Sequence, residues 1–238
     1  MKTFRALLSL VLPKWLAHDI HSFLFHPYWR KHIVKISNNS RVTSAGITCK
    51  DEKFSSRRPF KNLDKDRILN LFRKNNVHSV LDVGCGVGRL VKELSEEGFN
   101  ACGININKLE IEQAQHPDIF LYDIQNSIEN CPLKTKKFDA VVSIDCIEHL
   151  ESPLIALKNI NKLLNPNGLF IAYIPSARWI ECDYHIIVYS PRQFRWLLNL
   201  AGFDLIAKKG RYRMSKNGVT YFARKIMEKG PVYPAVLE

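Results

Sequence analysis

Apolar residues recur at helical spacing over residues 62–76, where Leu63, Ile68, Leu69, Leu71 and Phe72 stand among charges. Residues 78–83 form instead a short apolar run closed by Gly84, Gly86 and Gly88, the pattern of a strand entering a glycine turn. A helix follows over 89–97 and stops at Gly98, a residue suited to the left-handed turn past a helix end. Residues 100–106 predict a second strand, and Asn107 caps a helix over 108–115 with Leu109, Ile111 and Ala114 on one face. Strands at 119–122 and 138–144 come next, then a helix over 153–164, an Asn165-Pro166-Asn167-Gly168 turn and a strand over 169–174. Ser190-Pro191 marks the start of a helix that reaches Gly202, and residues 203–207 and 219–223 are the last two strands. The alternation predicts crossover units and an α/β fold: a Rossmann-like, doubly wound, seven-stranded and mostly parallel sheet. The last two strands have no helix between them and are expected to pair antiparallel at an edge.

The 238 residues read as an α/β domain over 61–238 preceded by an extension over 1–60. With 46% hydrophobic and 24% charged residues and a mean hydropathy of −0.16, the chain is neither disordered nor fibrous, and no apolar run is long enough to cross a membrane. Six scattered cysteines without a Cys-x-x-Cys pair read as reduced thiols of the cytoplasm. The first residues loosely imitate a secretory signal, but Pro13 and Lys14 interrupt a seven-residue apolar stretch, and the segment is expected to be retained.

Charge divides the chain. Residues 1–78 carry 16 basic and 5 acidic side chains, residues 79–175 carry 8 and 13, and residues 176–238 carry 11 and 5. Two basic flanks therefore enclose an acidic centre, an asymmetry that attracts phosphate-bearing partners at the flanks.

The main chemistry sits in Asp82-Val83-Gly84-Cys85-Gly86-Val87-Gly88. Glycines there let a ligand approach the backbone beside a helix N-terminus. The spacing is Gly-x-Gly-x-Gly with an acid two residues ahead, which differs from the dinucleotide Gly-x-Gly-x-x-Gly. It points to a smaller nucleoside ligand with an amino group, which Asp82 helps hold through water or backbone. Cys85 reads as a small packing residue, since no neighbour in sequence lowers its pKa.

Val80-Leu81-Asp82-Val83-Gly84-Cys85-Gly86-Val87-Gly88 resembles the first motif of class I methyltransferases that use S-adenosylmethionine. Phe138-Asp139-Ala140-Val141-Val142-Ser143 resembles their fourth strand, and Leu163-Leu164-Asn165-Pro166-Asn167-Gly168 the turn before their fifth. The stretch from His185 through Tyr189-Ser190-Pro191 to Ala201-Gly202-Phe203 is similar to the subgroup of ubiquinone-biosynthesis O-methyltransferases. The resemblance covers residues 64–224. It implies a methyl transfer from S-adenosylmethionine, with Gly84, Cys85, Gly86 and Gly88 under the methionine part and ribose. The acid that accepts the ribose hydroxyls falls on Asn105, followed by Ile106. An asparagine offers one acceptor oxygen and an NH₂ donor, so weaker binding or help from a neighbour is expected. Asp123 matches the acid that meets the adenine amino group, with Ile124 alongside the ring, and Asp145 follows the fourth strand at the cofactor.

Asp145-Cys146-Ile147-Glu148-His149 is similar to a Glu-x-x-Glu-His motif of those O-methyltransferases and of small-RNA 2′-O-methyltransferases. In the RNA enzymes a later histidine joins the cluster around a divalent metal, and His185 is its counterpart. Aspartate at 145 retracts the carboxylate by about 1.5 Å, a C–C bond length, which weighs against a copied metal site. His149 and His185 are therefore read as substrate-facing or structural, and either imidazole can take a proton from an acceptor hydroxyl. The acceptor expected is a small molecule, a lipid-linked intermediate or a glycan, methylated at oxygen. An RNA acceptor held by the basic flanks is the alternative, and a binding module without turnover is a third reading.

Leu8, Val11, Leu12, Trp15 and Leu16 fall on one helical face, with Lys2, Arg5 and Lys14 nearby. One reading is a helix covering the cofactor cleft. The other is an interfacial helix in peripheral contact with anionic lipid. Nucleic acid fits less well, because no RNA-binding module accompanies the basic-aromatic pattern. On the membrane reading, full-length protein co-sediments with anionic liposomes more than with neutral ones, and the excess shrinks as salt rises. Deletion of residues 1–35 removes most of that binding and leaves cofactor affinity nearly intact. Equal sedimentation of the truncated protein would sink the membrane reading.

Overall fold

The computed structural model describes residues 65–114, 116–175, 185–206, 212–214 and 218–226. The extension with its predicted helical face lies outside these residues. The strands are β1 (Ser79–Val83), β2 (Asn100–Asn105), β3 (Ile119–Leu121), β4 (Phe138–Ile144), β5 (Leu164–Pro175), β6 (Phe203–Leu205), β7 (Tyr212–Met214) and β8 (Gly218–Lys225). The helices are α1 (Lys65–Lys74), α2 (Arg89–Glu96), α3 (Lys108–Glu112), α4 (Pro153–Leu163) and α5 (Pro191–Leu200).

Seven strands lie in the order β3-β2-β1-β4-β5-β8-β6, and the short β7 pairs with β8 as an eighth. β1 to β5 are parallel, whereas β8 runs antiparallel to β5, β6 and β7. The chain winds outward from β1 to β3, then returns to place β4 on the other side of β1. That reversal opens a crevice at the carboxyl ends of β1 and β4, where ligands of such sheets bind. The expected doubly wound sheet is present. β6 takes the C-terminal end of β8 (Phe203 opposite Lys225), and β7 takes its N-terminal end (Met214 opposite Val219). The outer edge is thus one strand in two pieces.

Strand alternation sorts the core into two layers. Val80 faces the cluster that holds Ile68, Leu69 and Phe72 of α1 and Leu90, Val91 and Leu94 of α2. Leu81 and Val83 face the opposite cluster, built on Ala156, Leu157, Ile160 and Leu163 of α4 and Phe194 and Leu198 of α5. α5 begins where the sequence predicts: Ser190 Oγ accepts from the Gln193 N–H, Gln193 reaches back to the Ser190 N–H, and Pro191 takes the first helical position.

β7 is an eighth strand where seven were expected, and two further elements differ from expectation. The Asn165-Pro166-Asn167-Gly168 turn is a bulge inside β5, because Phe138 pairs with Leu164 while Ala140 already pairs with Leu169. Asn167 absorbs the extra chain with φ +60°. α3 stops at Glu112, short of the predicted span. Beyond it the Ala114 N–H donates to the Ile111 carbonyl at 3.0 Å, a tighter turn that closes the helix.

Asp139 ties the entry ends of three strands together. Its Oδ2 accepts from the N–H groups of His78 and Ser79 and from the Ser79 hydroxyl, each at 3.0 Å, and its Oδ1 accepts from Asn165 Nδ2 at 2.8 Å. Burial raises the carboxyl's pKa, but these bonds outweigh it and the net shift is downward. A depressed folded-state pKa contributes stability above the ordinary value of 3.8, lost as pH falls through the folded value. Asp139→Ala is expected to cost about 2 kcal/mol at pH 7 by urea denaturation. The gap from wild type should narrow below pH 3.8. A pH-independent gap would mean that the ionised carboxylate is not what holds the strands.

Candidate active site

The loop after β1 holds three glycines in the left-handed region, with φ +79° at Gly84, +54° at Gly86 and +78° at Gly88. The N–H groups of Gly84 and Cys85 both donate to the Ile104 carbonyl, at 3.0 and 3.2 Å, which pins the loop to the end of β2. A Cβ on Gly84 would lie 2.6 Å from Cys146 Sγ, and one on Gly88 would lie 1.9 Å from Ile119 Cδ1. A Cβ on Gly86 would meet nothing within 4 Å. Gly84 and Gly88 are therefore required by packing, whereas Gly86 faces open space that a ligand can fill.

Cys85 is buried, and a Cβ on Gly103 would lie 2.6 Å from its Sγ. Burial and then the nearby Asp82 carboxylate push its thiol pKa up, so it is a packing residue rather than a nucleophile. Gly103, absent from the sequence-level site, is the small residue that makes room for it. Asp82 is buried on β1, and burial raises its carboxyl to about 7. A cation beside it would favour the ionised form.

Asn105 closes β2. Its Oδ1 accepts from the Ile106 N–H at 3.0 Å, and its Nδ2 donates to Glu110 Oε2 at 2.7 Å and to the Gly86 carbonyl at 3.4 Å. Ile106 is exposed and presents an apolar side chain next to the loop's end. Asp123 follows β3, where its Oδ1 accepts from the Gln125 N–H at 2.9 Å and from Gln125 Nε2 at 3.3 Å. Ile124 is buried in the core beside Tyr122, Cys131 and Leu133. Its side chain does not offer the contact alongside a ring that the sequence suggests, and any contact with a ligand is left to its backbone.

Beyond β4 the chain turns at Asp145, which takes φ +48°, uncommon outside glycine, and donates its N–H to the Tyr173 carbonyl at 3.2 Å. The short turn Ile147–His149 then directs Glu148 into the interior. The N–H groups of Ile186 and Ile187 donate to the Glu148 carbonyl at 2.9 and 3.1 Å, which draws in the distant segment carrying His185. The His149 and His185 rings meet edge to face with centroids 4.9 Å apart. Their Nε2 atoms lie 3.8 and 3.9 Å from Glu148 Oε1. Burial, and then the Asp145 carboxylate, holds Glu148 well above the usual carboxylate range.

Neither Glu148 oxygen has a hydrogen-bond partner among the described residues, a state that a carboxyl proton, a water or a bound cation relieves. Donor atoms of Glu148, His149 and His185 all lie within 4.8 Å of one another, so these three residues could hold a divalent metal. Asp145 is not in that group among the described residues. The cleft and the histidine pair adjoin, because Cys146, against which Gly84 packs, stands two residues before Glu148.

A family model described as a methyltransferase domain matches residues 56–208. The chain belongs to the S-adenosylmethionine-dependent methyltransferase family. It is 33% identical over 176 residues to a ubiquinone biosynthesis O-methyltransferase of Rickettsia canadensis, covering 64% of this chain and 74% of that one. To the protein of that name from Rickettsia typhi it is 34% identical over 116 residues, 44% of this chain and 47% of that one. The chain thus spans about half the length of that relative. An S-adenosylmethionine-dependent methyltransferase from Clostridium acetobutylicum has the same fold, with a TM-score of 0.58 over 74% of this chain and 98% of that one at 14% identity. No helix among the described residues is long and apolar enough to cross a membrane.

Within this methyltransferase domain the loop glycines separate by experiment. Gly86→Ala should stay folded, at a cost of about 1–2 kcal/mol for its left-handed backbone, and bind S-adenosylmethionine at least tenfold more weakly by calorimetry. Gly88→Ala should lose several kcal/mol of stability, because its methyl strikes Ile119 in a packed core. Normal cofactor binding by a folded Gly86→Ala protein would refute the cradle.

Proposed function

We propose that this protein transfers a methyl group from S-adenosylmethionine to a hydroxyl oxygen of a small-molecule, lipid-linked or glycan acceptor. The observation that carries this reading is the pair of imidazoles around a buried glutamate beside an open glycine cradle. The relatives are named for ubiquinone biosynthesis, which makes hydroxylated ubiquinone precursors the first acceptors to test.

The chain fits the cofactor at its glycine loop. Gly86 leaves the space, Ile106 offers an exposed apolar side chain, Asp123 can still accept a hydrogen bond through its second oxygen, and Asp82 is a buried carboxyl that a cationic ligand nearby would ionise. When bound, S-adenosylmethionine supplies an activated methyl on a sulfonium. The protein's part is to align an acceptor oxygen with that methyl, exclude water and remove the hydroxyl proton. His149 and His185 turn Nε2 toward Glu148 Oε1. A neutral ring protonated at Nε2 carries its basic lone pair on Nδ1, where the acceptor's proton can be received. The imidazolium formed is then stabilised by Glu148, whose burial otherwise disfavours its ionised form. Should Glu148, His149 and His185 hold a divalent cation, it would polarise the acceptor oxygen in the same place.

His149→Ala and His185→Ala should each lower kcat by about 10²- to 10⁴-fold for the imidazole that acts as base, with cofactor affinity nearly unchanged. The assay is methyl transfer to hydroxylated ubiquinone precursors, run with and without chelator. Full turnover in both variants removes the histidine pair from the chemistry. Methylation of RNA in preference to every small acceptor would favour the nucleic-acid reading.

A further inference from the structure

Beside the open face of Gly86 lies one carboxylate that the proposed mechanism does not use. Glu110 sits in the first turn of α3, whose N-cap Asn107 accepts from the Leu109 and Glu110 N–H groups at 3.0 and 3.4 Å. A glutamate at this position ordinarily reaches back to the N-cap backbone. Here its Oε2 takes the Asn105 Nδ2 donor at 2.7 Å, and the same Nδ2 lies 3.4 Å from the Gly86 carbonyl. The orientation of the amide is fixed, because only its oxygen can accept from the Ile106 N–H at 3.0 Å. Asn105 therefore spends its acceptor on its own backbone and its donor on Glu110.

A carboxylate held in this way still has lone pairs for further donors, and two oxygens match the two hydroxyls of a vicinal diol. We propose that Glu110 supplies the carboxylate that accepts the ribose hydroxyls of the bound nucleoside, with Asn105 as the residue that positions it. The assignment rests on the reading of the Gly86 cleft as the S-adenosylmethionine site. It also predicts that an acid at 105 harms the site. Asn105→Asp would set two carboxylates in contact in place of a donor–acceptor pair, and their repulsion would spoil the site.

Calorimetry with S-adenosylhomocysteine and its 2′-deoxy analogue tests this on the full chain. Glu110→Gln is expected to weaken S-adenosylhomocysteine by about tenfold, the loss of one charge-assisted hydrogen bond, and to weaken the deoxy analogue much less. Asn105→Asp should also weaken binding, and Asn105→Asp combined with Glu110→Gln should relieve the repulsion but bind no more tightly than Glu110→Gln alone. Equal losses for both ligands would assign Glu110 a purely structural or long-range role and overturn the proposal. Tighter binding by Asn105→Asp alone would overturn it too, by placing the ribose on residue 105. A wild-type protein that binds no S-adenosylhomocysteine fails the cleft itself, whereas wild-type binding left intact by Glu110→Gln fails only the Glu110 assignment.

Discussion

The site depends on the close approach of the loops that leave β1, β2 and β4. Gly84 and Cys85 hang from the Ile104 carbonyl, and Gly84 has no side chain because Cys146 occupies that space. The buried Ser143 hydroxyl donates to the Val83 carbonyl at 3.2 Å and closes the third side. Three strand ends are locked together, so the glycine loop adjoins the turn that leads to the histidine pair. A larger residue at 84 would push the loops after β1 and β4 apart.

Around this junction the electrostatics are set by burial rather than by abundance of charge. Asp82 and Glu148 are both withdrawn from water, and both have carboxyl pKa values raised above the ordinary range, chiefly by that burial. Such groups favour a positive charge nearby, whether on a ligand or on an imidazole that has just taken a proton. The acidic centre of the chain thus has a physical counterpart in the cleft. Glu110, more accessible, is fixed by an amide donor instead.

The two histidines show how backbone contacts can bring distant side chains together. The donation of two consecutive N–H groups to the Glu148 carbonyl helps bring His185 against His149. The peptide groups supply directional bonds to the backbone of a residue whose side chain is buried. The rings then lie near one carboxylate oxygen, which the Ile147–His149 turn holds in the interior.

The fold was legible in the chain because period-2 and period-3.6 patterns, glycine stops and caps are local properties: Ser190-Pro191 starts a helix and Gly98 follows one whatever surrounds them. The glycine loop was legible for the same reason, as was the His149 cluster, whose members are adjacent. What the sequence could not separate was why each glycine is a glycine, since Gly84 and Gly88 answer to Cys146 and Ile119, residues far away along the chain. Nor could it show Ile124 turned into the core, Asn105 occupied by its own backbone, or Glu110 brought to the loop. Those outcomes are set by which side chains the packed sheet brings within 3 or 4 Å, and pattern along one dimension carries no such distances.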